Sequence, residues 1–190
     1  MLRTIIHRFD AFQRRRQKVY EFTSDPDCLL RLQIAYTKHP IQLPNCEMRP
    51  GDQYLDLHLW NEHVLPMPPE GPNLAWASRT RRMFVSSLSQ VAELISKDSQ
   101  YKEIKMVRGI TVLLTLSDEN IGKSMVERLG FTLMPYHQTL GRFGEFWENF
   151  YTYVLMWAFN PNSLRNRHLI SSRRTEFWMC IDDFLQRYLK

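Results

Sequence analysis

Residues 54–69, YLDLHLWNEHVLPMPP, alternate in polarity for seven positions and then break off against prolines. Side chains on an extended backbone point to opposite faces in turn, so Leu55, Leu57 and Leu59 share one side while Tyr54, Asp56, His58 and Trp60 share the other. The leucines predict a strand with that side against a core. Pro66, Pro68 and Pro69 lack the amide donor that a sheet ladder needs, and they end the strand region. Asp56 and His58 then point the same way. They form either the wet face of a sheet or an acid–base pair in which the carboxylate fixes the imidazole tautomer.

The flanking segments supply partners for this strand. Leu30, Leu32, Ile34 and Tyr36 alternate with Arg31, Gln33 and Ala35, and IKMVRGITVLLT around Gly109 is apolar enough for a buried strand. Between strands, Asn73 is an N-cap for a helix to about Lys97, whose Ala77, Phe84, Leu88, Val91 and Ile95 form an apolar stripe. SDENIGKSMVERLGF predicts a helix capped by Ser117 and stopped by Gly130, followed by a strand near Phe131 to Tyr136. In GEFWENFYTYVLMWAFNP, Glu145, Glu148, Asn149 and Thr152 make one polar stripe on an otherwise apolar helix that Pro161 closes. A last helix is expected from about Thr175, with Phe177, Ile181, Phe184 and Tyr188 on one side.

At the start, Leu2, Ile5, Ile6, Phe9 and Phe12 recur at helical spacing among arginines, predicting a basic amphipathic helix over about residues 2–20. The fold class expected is therefore α+β: a single mixed sheet with helices packed mainly on one face. One domain spans residues 1–190, with a helical C-terminal part over about 143–189.

Composition bounds the function. With 44% hydrophobic and 24% charged residues, the 190-residue chain matches globular averages and can bury a core without a staple. Cys28, Cys46 and Cys180 are odd in number and have no paired spacing, so neither a disulfide framework nor a thiolate metal site is expected. A reducing, cytoplasmic setting fits, with Cys28 and Cys180 as buried packing. Asp56, His58, Glu62 and His63 span a strand end and a turn and match no metal-ligand signature. None of the seven glycines forms a G-x-G arrangement, so no nucleotide cofactor is expected, and no cofactor is assigned.

The formal charge is +5, and six of the 25 basic residues lie in the first 18 positions. Arg14, Arg15 and Arg16 near the start, and Arg165, Arg167, Arg173 and Arg174 near the end, suit anionic headgroups or an acidic partner. Nearby aromatics do not alternate as a base-stacking platform would, so nucleic acid is not the expected partner. The apolar run Phe150 to Phe159 is too short to span a bilayer.

GDQYLDLHLWNEH, EIKMVRGITVLL and VERLGFTLMPYH together resemble the bacterial YkoP-type domain family, over roughly residues 28–136 with a looser match through FWENF. The resemblance places Gly51, Asp52, His58, Asn61, Gly109, Arg128, Gly130 and Phe131 at shared positions, and it implies an association with envelope glycans or the membrane. A weaker likeness, ENIGKSMVERLGF, is similar to the late helix-to-strand step of GNAT acetyltransferases. Val126 replaces their usual tyrosine, however, and the pyrophosphate loop is missing.

The expected function is a non-enzymatic accessory or scaffold protein. It docks peripherally on a membrane surface, the inner face of the cell membrane, or on a membrane protein complex through its basic, aromatic ends. The rival is an enzyme acting on an envelope glycan or lipid precursor, with His58 as base, Asp56 orienting it, and Asn61 and Glu62 holding substrate.

Overall fold

A computed structural model describes residues 2–111, 119–136, 141–164 and 174–189. In chain order these form α1 (Leu2–Gln17), β1 (Leu30–Tyr36), a small hairpin of β2 (Ile41–Gln42) and β3 (Glu47–Met48), β4 (Gln53–Leu59) and α2 (Leu74–Lys97). Then follow β5 (Ile104–Thr111), α3 (Glu119–Arg128), β6 (Thr132–Pro135), α4 (Gly141–Phe159), β7 (Thr175–Cys180) and α5 (Ile181–Tyr188). The main sheet runs β1-β4-β5-β7-β6. Among the described residues only β4 and β5 pair in parallel, and α2 crosses between them. The fold is α+β.

One face of this sheet carries the core. Leu30, Leu32, Leu55, Leu57, Val107, Phe177 and Met179 meet Leu88, Val91, Ala92 and Ile95 of α2, Val126 of α3 and Leu129 just after it, and Phe184 and Tyr188 of α5. The Asn73 side chain caps α2 by accepting the Trp76 amide at 2.9 Å. Ser87 then locks that helix to the sheet: its hydroxyl donates to Met83 O and accepts the Leu29 amide, both at 2.8 Å. Gly109 is required by close approach, because a Cβ there would lie 2.1 Å from the Phe177 ring. Leu59 departs from the alternation. It ends β4 and is 44% exposed, while Trp60 turns inward and stacks on His63 at 3.8 Å.

Two expectations are corrected. Residues 175–180 form a strand, and the last helix starts only at Ile181. Phe177 and Met179 face the main core while Trp178 and Cys180 enter a second one, so burial on both sides hides the strand's alternation. Cys46 and Cys180 are joined in a disulfide with a Cα–Cα distance of 6.0 Å. A sequence separation of 134 gives no hint of it; the topology does, by laying the β2–β3 hairpin over the far face. Leu43, Met48, Met106, Trp178 and Cys180 make that smaller core. Such bridges persist in oxidising surroundings, against the reducing setting that the cysteine spacing suggested. Cys28 is a free, buried thiol. The cap expected at Ser117 lies outside the described residues.

Candidate functional site

The rest of the far face is charged. Sheet register sets Gln33 opposite Asp56, Asp56 opposite Arg108, and Arg108 opposite Trp178, a polar row across four strands. Beside it, Arg31 stands opposite His58. These side chains share a face because each sits an even number of positions from its neighbour along the strand.

Arg108 is the hub. Its Nη1 donates to Asp56 Oδ2 at 3.1 Å and its Nη2 to Glu176 Oε1 at 2.7 Å. The guanidinium also lies 5.7 Å and 5.4 Å from the ring centres of Tyr54 and Trp178. Trp178 in turn donates its indole N–H to Glu176 at 2.8 Å. Burial works against the Arg108 charge, but the carboxylates of Asp56 and Glu176 outweigh it and hold the guanidinium protonated. Burial also lifts the Asp56 pKa, with Arg108 and His58 opposing.

His58 does not form the expected dyad. Its Nε2 lies 3.8 Å from Asp56, beyond hydrogen-bonding distance, and bonds instead to Gln33 Oε1 at 2.9 Å. The reason is competition: Asp56 spends its oxygen on the forked guanidinium, a stronger partner than a neutral imidazole. Protein packed around the ring lowers the His58 pKa, partly offset by Asp56.

A second network ties α1 to the sheet. Arg31, buried under the ring of Trp60, takes Glu21 at 2.9 Å and Glu62 at 3.0 Å. Arg14 bonds Asp10 at 2.9 Å and Glu21 at 3.1 Å, and Asp10 also accepts the Tyr151 hydroxyl of α4 at 2.7 Å. A third network hangs from Arg174, which donates to Asn149 and Thr152 and pairs with Glu148. Glu148 accepts the Tyr136 hydroxyl at 2.9 Å, and burial followed by that carboxylate pushes the Tyr136 pKa up to about 12.

Helix α4 is consequently turned inside out. Glu148, Asn149 and Thr152 bond to other parts of the protein, with Asn149 only 7% exposed, while Phe146, Trp147 and Phe150 form an aromatic cluster about half exposed to solvent. Phe9 of α1 reaches the ring of Tyr151 on α4 at 5.9 Å, and Phe9 and Phe12 are both exposed on α1. Exposed Arg8, Arg15 and Arg16 stand on the same helix.

The sequence-selected residues thus divide. Arg14, Arg174 and Glu62 are engaged by the chain's own charges, and Arg15 and Arg16 are exposed. Asn61 sits in the turn after β4, which the His63 amide closes on Trp60 O at 2.9 Å. Arg165, Arg167 and Arg173 lie outside the described residues. Arg108, Glu176, Gln33 and Asp10 were not selected. Arg108 was discoverable as a cation in the middle of an apolar strand, flanked by Val107 and Gly109, whereas Glu176 was hidden by the helical reading of its segment.

No curated protein and no solved structure matches the chain. A family model described as the YkoP domain matches residues 2–188, and the acetyltransferase likeness finds no support. With all but the first residue and the last two inside that match, the chain belongs to the YkoP domain family.

Proposed function

We propose that the protein docks peripherally on an anionic membrane surface through the outward faces of α1 and α4. The observation that supports this is the reversal of α4, which bonds Glu148, Asn149 and Thr152 into the protein and presents Phe146 and Phe150 to the outside, while α1, whose Phe9 meets Tyr151 of α4, exposes Phe9 and Phe12. A water-exposed aromatic surface of this extent marks an interaction site. Arg8, Arg15 and Arg16 beside it match anionic headgroups, the pairing found in helices that lie in the interface plane. No described helix is long and apolar enough to cross a membrane, so attachment would be peripheral. The engagement of Arg14 and Arg174 by carboxylates removes them from the docking set.

Flotation with vesicles of phosphatidylglycerol and phosphatidylcholine tests the reading. The protein should float at low ionic strength, should be partly released by high salt, and should ignore vesicles of phosphatidylcholine alone. Failure to float with the anionic vesicles at low salt would exclude it.

A further inference from the structure

The β2–β3 hairpin is a strap fastened at its base and at its tip. At the base, Tyr36 and Gln53 are partners in the sheet and the Thr37 amide donates to Asp52 O at 3.0 Å, so residues 37–52 leave and rejoin the fold at one place. At the tip, Leu43 and Met48 pack with Met106 and Trp178, and the Cys46–Cys180 bond ties the strap to the end of β7. The two strands are only two residues long each, and a hairpin that short has little hold of its own. A further tie, Asn45 Nδ2 donating to Asp183 Oδ2 at 3.1 Å, is exposed to water and correspondingly weak.

The two sulfurs differ in setting. Cys46 is half-buried in a turn between exposed Asn45 and Glu47, whereas Cys180 is 5% exposed. Cys180 also stands at the N-cap of α5, where no side chain takes the first amides of the helix. A thiolate released there meets the positive end of the helix, an effect tempered by Asp182 and Asp183 in the first turn. Beside it lies a cavity of about 170 Å³, lined by Cys180, Asn45, Gly130, Thr132 and Asp183 and wide enough for water.

We infer that Cys46–Cys180 is a thiol-exchange site, opened by a dithiol reductant while the protein stays folded, and that the strap lifts when it opens. A thiolate of the reductant attacks Cys46 Sγ, the more accessible sulfur; the S–S bond breaks, and Cys180 departs as a thiolate that takes up a proton. The second thiol of the reductant then attacks the mixed disulfide, which frees Cys46 as a thiol and leaves the reductant as its own disulfide. Two electrons have passed to the protein's sulfurs. With the covalent tie gone, the strap uncovers Met106 and Trp178, the indole that bonds Glu176 beside Arg108. The inference is independent of the membrane reading.

Dithiothreitol in native buffer is the probe. Reduction should proceed in the folded state, and Leu88→Ala, which weakens the main core on the opposite face of the sheet, should change its rate by less than about twofold. A bond that opened only through global unfolding would instead be reduced about thirtyfold faster or more in that variant. Urea below the unfolding transition makes the same distinction without a substitution: a nearly flat rate is expected, where a global route would rise steeply. In the reduced protein, hydrogen exchange should speed up over residues 37–52 while β4 and β5 stay protected, and glutathione used as a single thiol should be captured on Cys46. Reduction that tracks global stability, unchanged exchange over 37–52, or capture on Cys180 alone would overturn the inference.

Discussion

Asp56 and Arg108 stand opposite each other on the parallel pair of β4 and β5, joined at 3.1 Å, with Glu176 on the other fork of the same guanidinium at 2.7 Å. All three side chains are at most 13% exposed. Removing the cation strands two buried carboxylates, the costly way to break an ion pair. Arg108→Met is expected to lose about 3 to 5 kcal/mol in denaturant unfolding. Arg108→Lys should recover only part of this, because an ammonium cannot fork between two carboxylates. A loss below about 1 kcal/mol for the methionine variant would show that the cluster is solvated instead.

His58 gives the fold a pH dependence whose sign follows from its lowered pKa. Between the folded value and 6.5 the unfolded chain holds more protons than the folded one, so stability rises with pH across that window. It is complete above 6.5 and lost as the pH falls through the folded value. His58→Gln should flatten the slope between about pH 6.5 and the folded midpoint. Glu62, whose pKa is lowered because bonds from Arg31 outweigh burial, loses its contribution only below its ordinary 4.5, so its effect is absent from the upper end of the His58 window just below pH 6.5. Thermal midpoints measured from pH 4 to 8 for both proteins decide the matter; equal slopes would remove His58 as the cause.

Most of the fold was legible because its elements obey simple periods. Leu55 and Leu57 of β4 and Leu88, Val91 and Ile95 of α2 bury one face each, so alternation and 3.6-residue spacing read directly there, while Leu59 and Ala77 at the ends of those patterns are exposed. β7 was lost because Phe177 and Trp178 are buried in two different cores, erasing the alternation that separates a strand from a helix. Around the site, sequence proximity misled. Asp56 and His58 are two residues apart and share a face, but the carboxylate's partner comes from 52 residues away. The polar stripe of α4 was visible as a stripe, while its direction was not. Only the positions of Arg174 and Tyr136 reveal that its Glu148, Asn149 and Thr152 point inward.

The Cys46–Cys180 bridge pins the β2–β3 hairpin against Trp178 and Met106. Because it closes a long loop, the chain-entropy contribution to stability is about 2 to 5 kcal/mol. Cys46→Ser, or the wild type in excess dithiol, should therefore unfold at lower denaturant. Trp178 fluorescence should also shift in the folded baseline as the hairpin loosens over its ring. Peptide mapping without reductant should recover the Cys46–Cys180 pair and leave Cys28 as a thiol. Finding all three cysteines free, or no change in unfolding midpoint on reduction, would show that the hairpin holds by packing alone.

Phe150 separates docking from folding. Its ring is 49% exposed and packs on Phe146 and Trp147, whose own surfaces are about half exposed. Phe150→Ser therefore removes little from the folded core, and its unfolding free energy should stay within about 1 kcal/mol of the wild type. Entering an interface, the same ring would bury roughly the area it now shows to water. Its loss should weaken vesicle partitioning by about tenfold on the usual scale for apolar transfer. Arg15→Glu acts on the electrostatic part: about 1 kcal/mol, or fivefold, for the lost cation near an anionic surface, with a further loss from the reversed sign and a shallower salt dependence. Leu88→Ala is the reverse case. Its side chain is fully buried in the main core, so it should cost about 2 to 5 kcal/mol of stability while folded protein partitions as before. If Phe150→Ser floats as well as the wild type, the aromatic face of α4 is not what touches the bilayer.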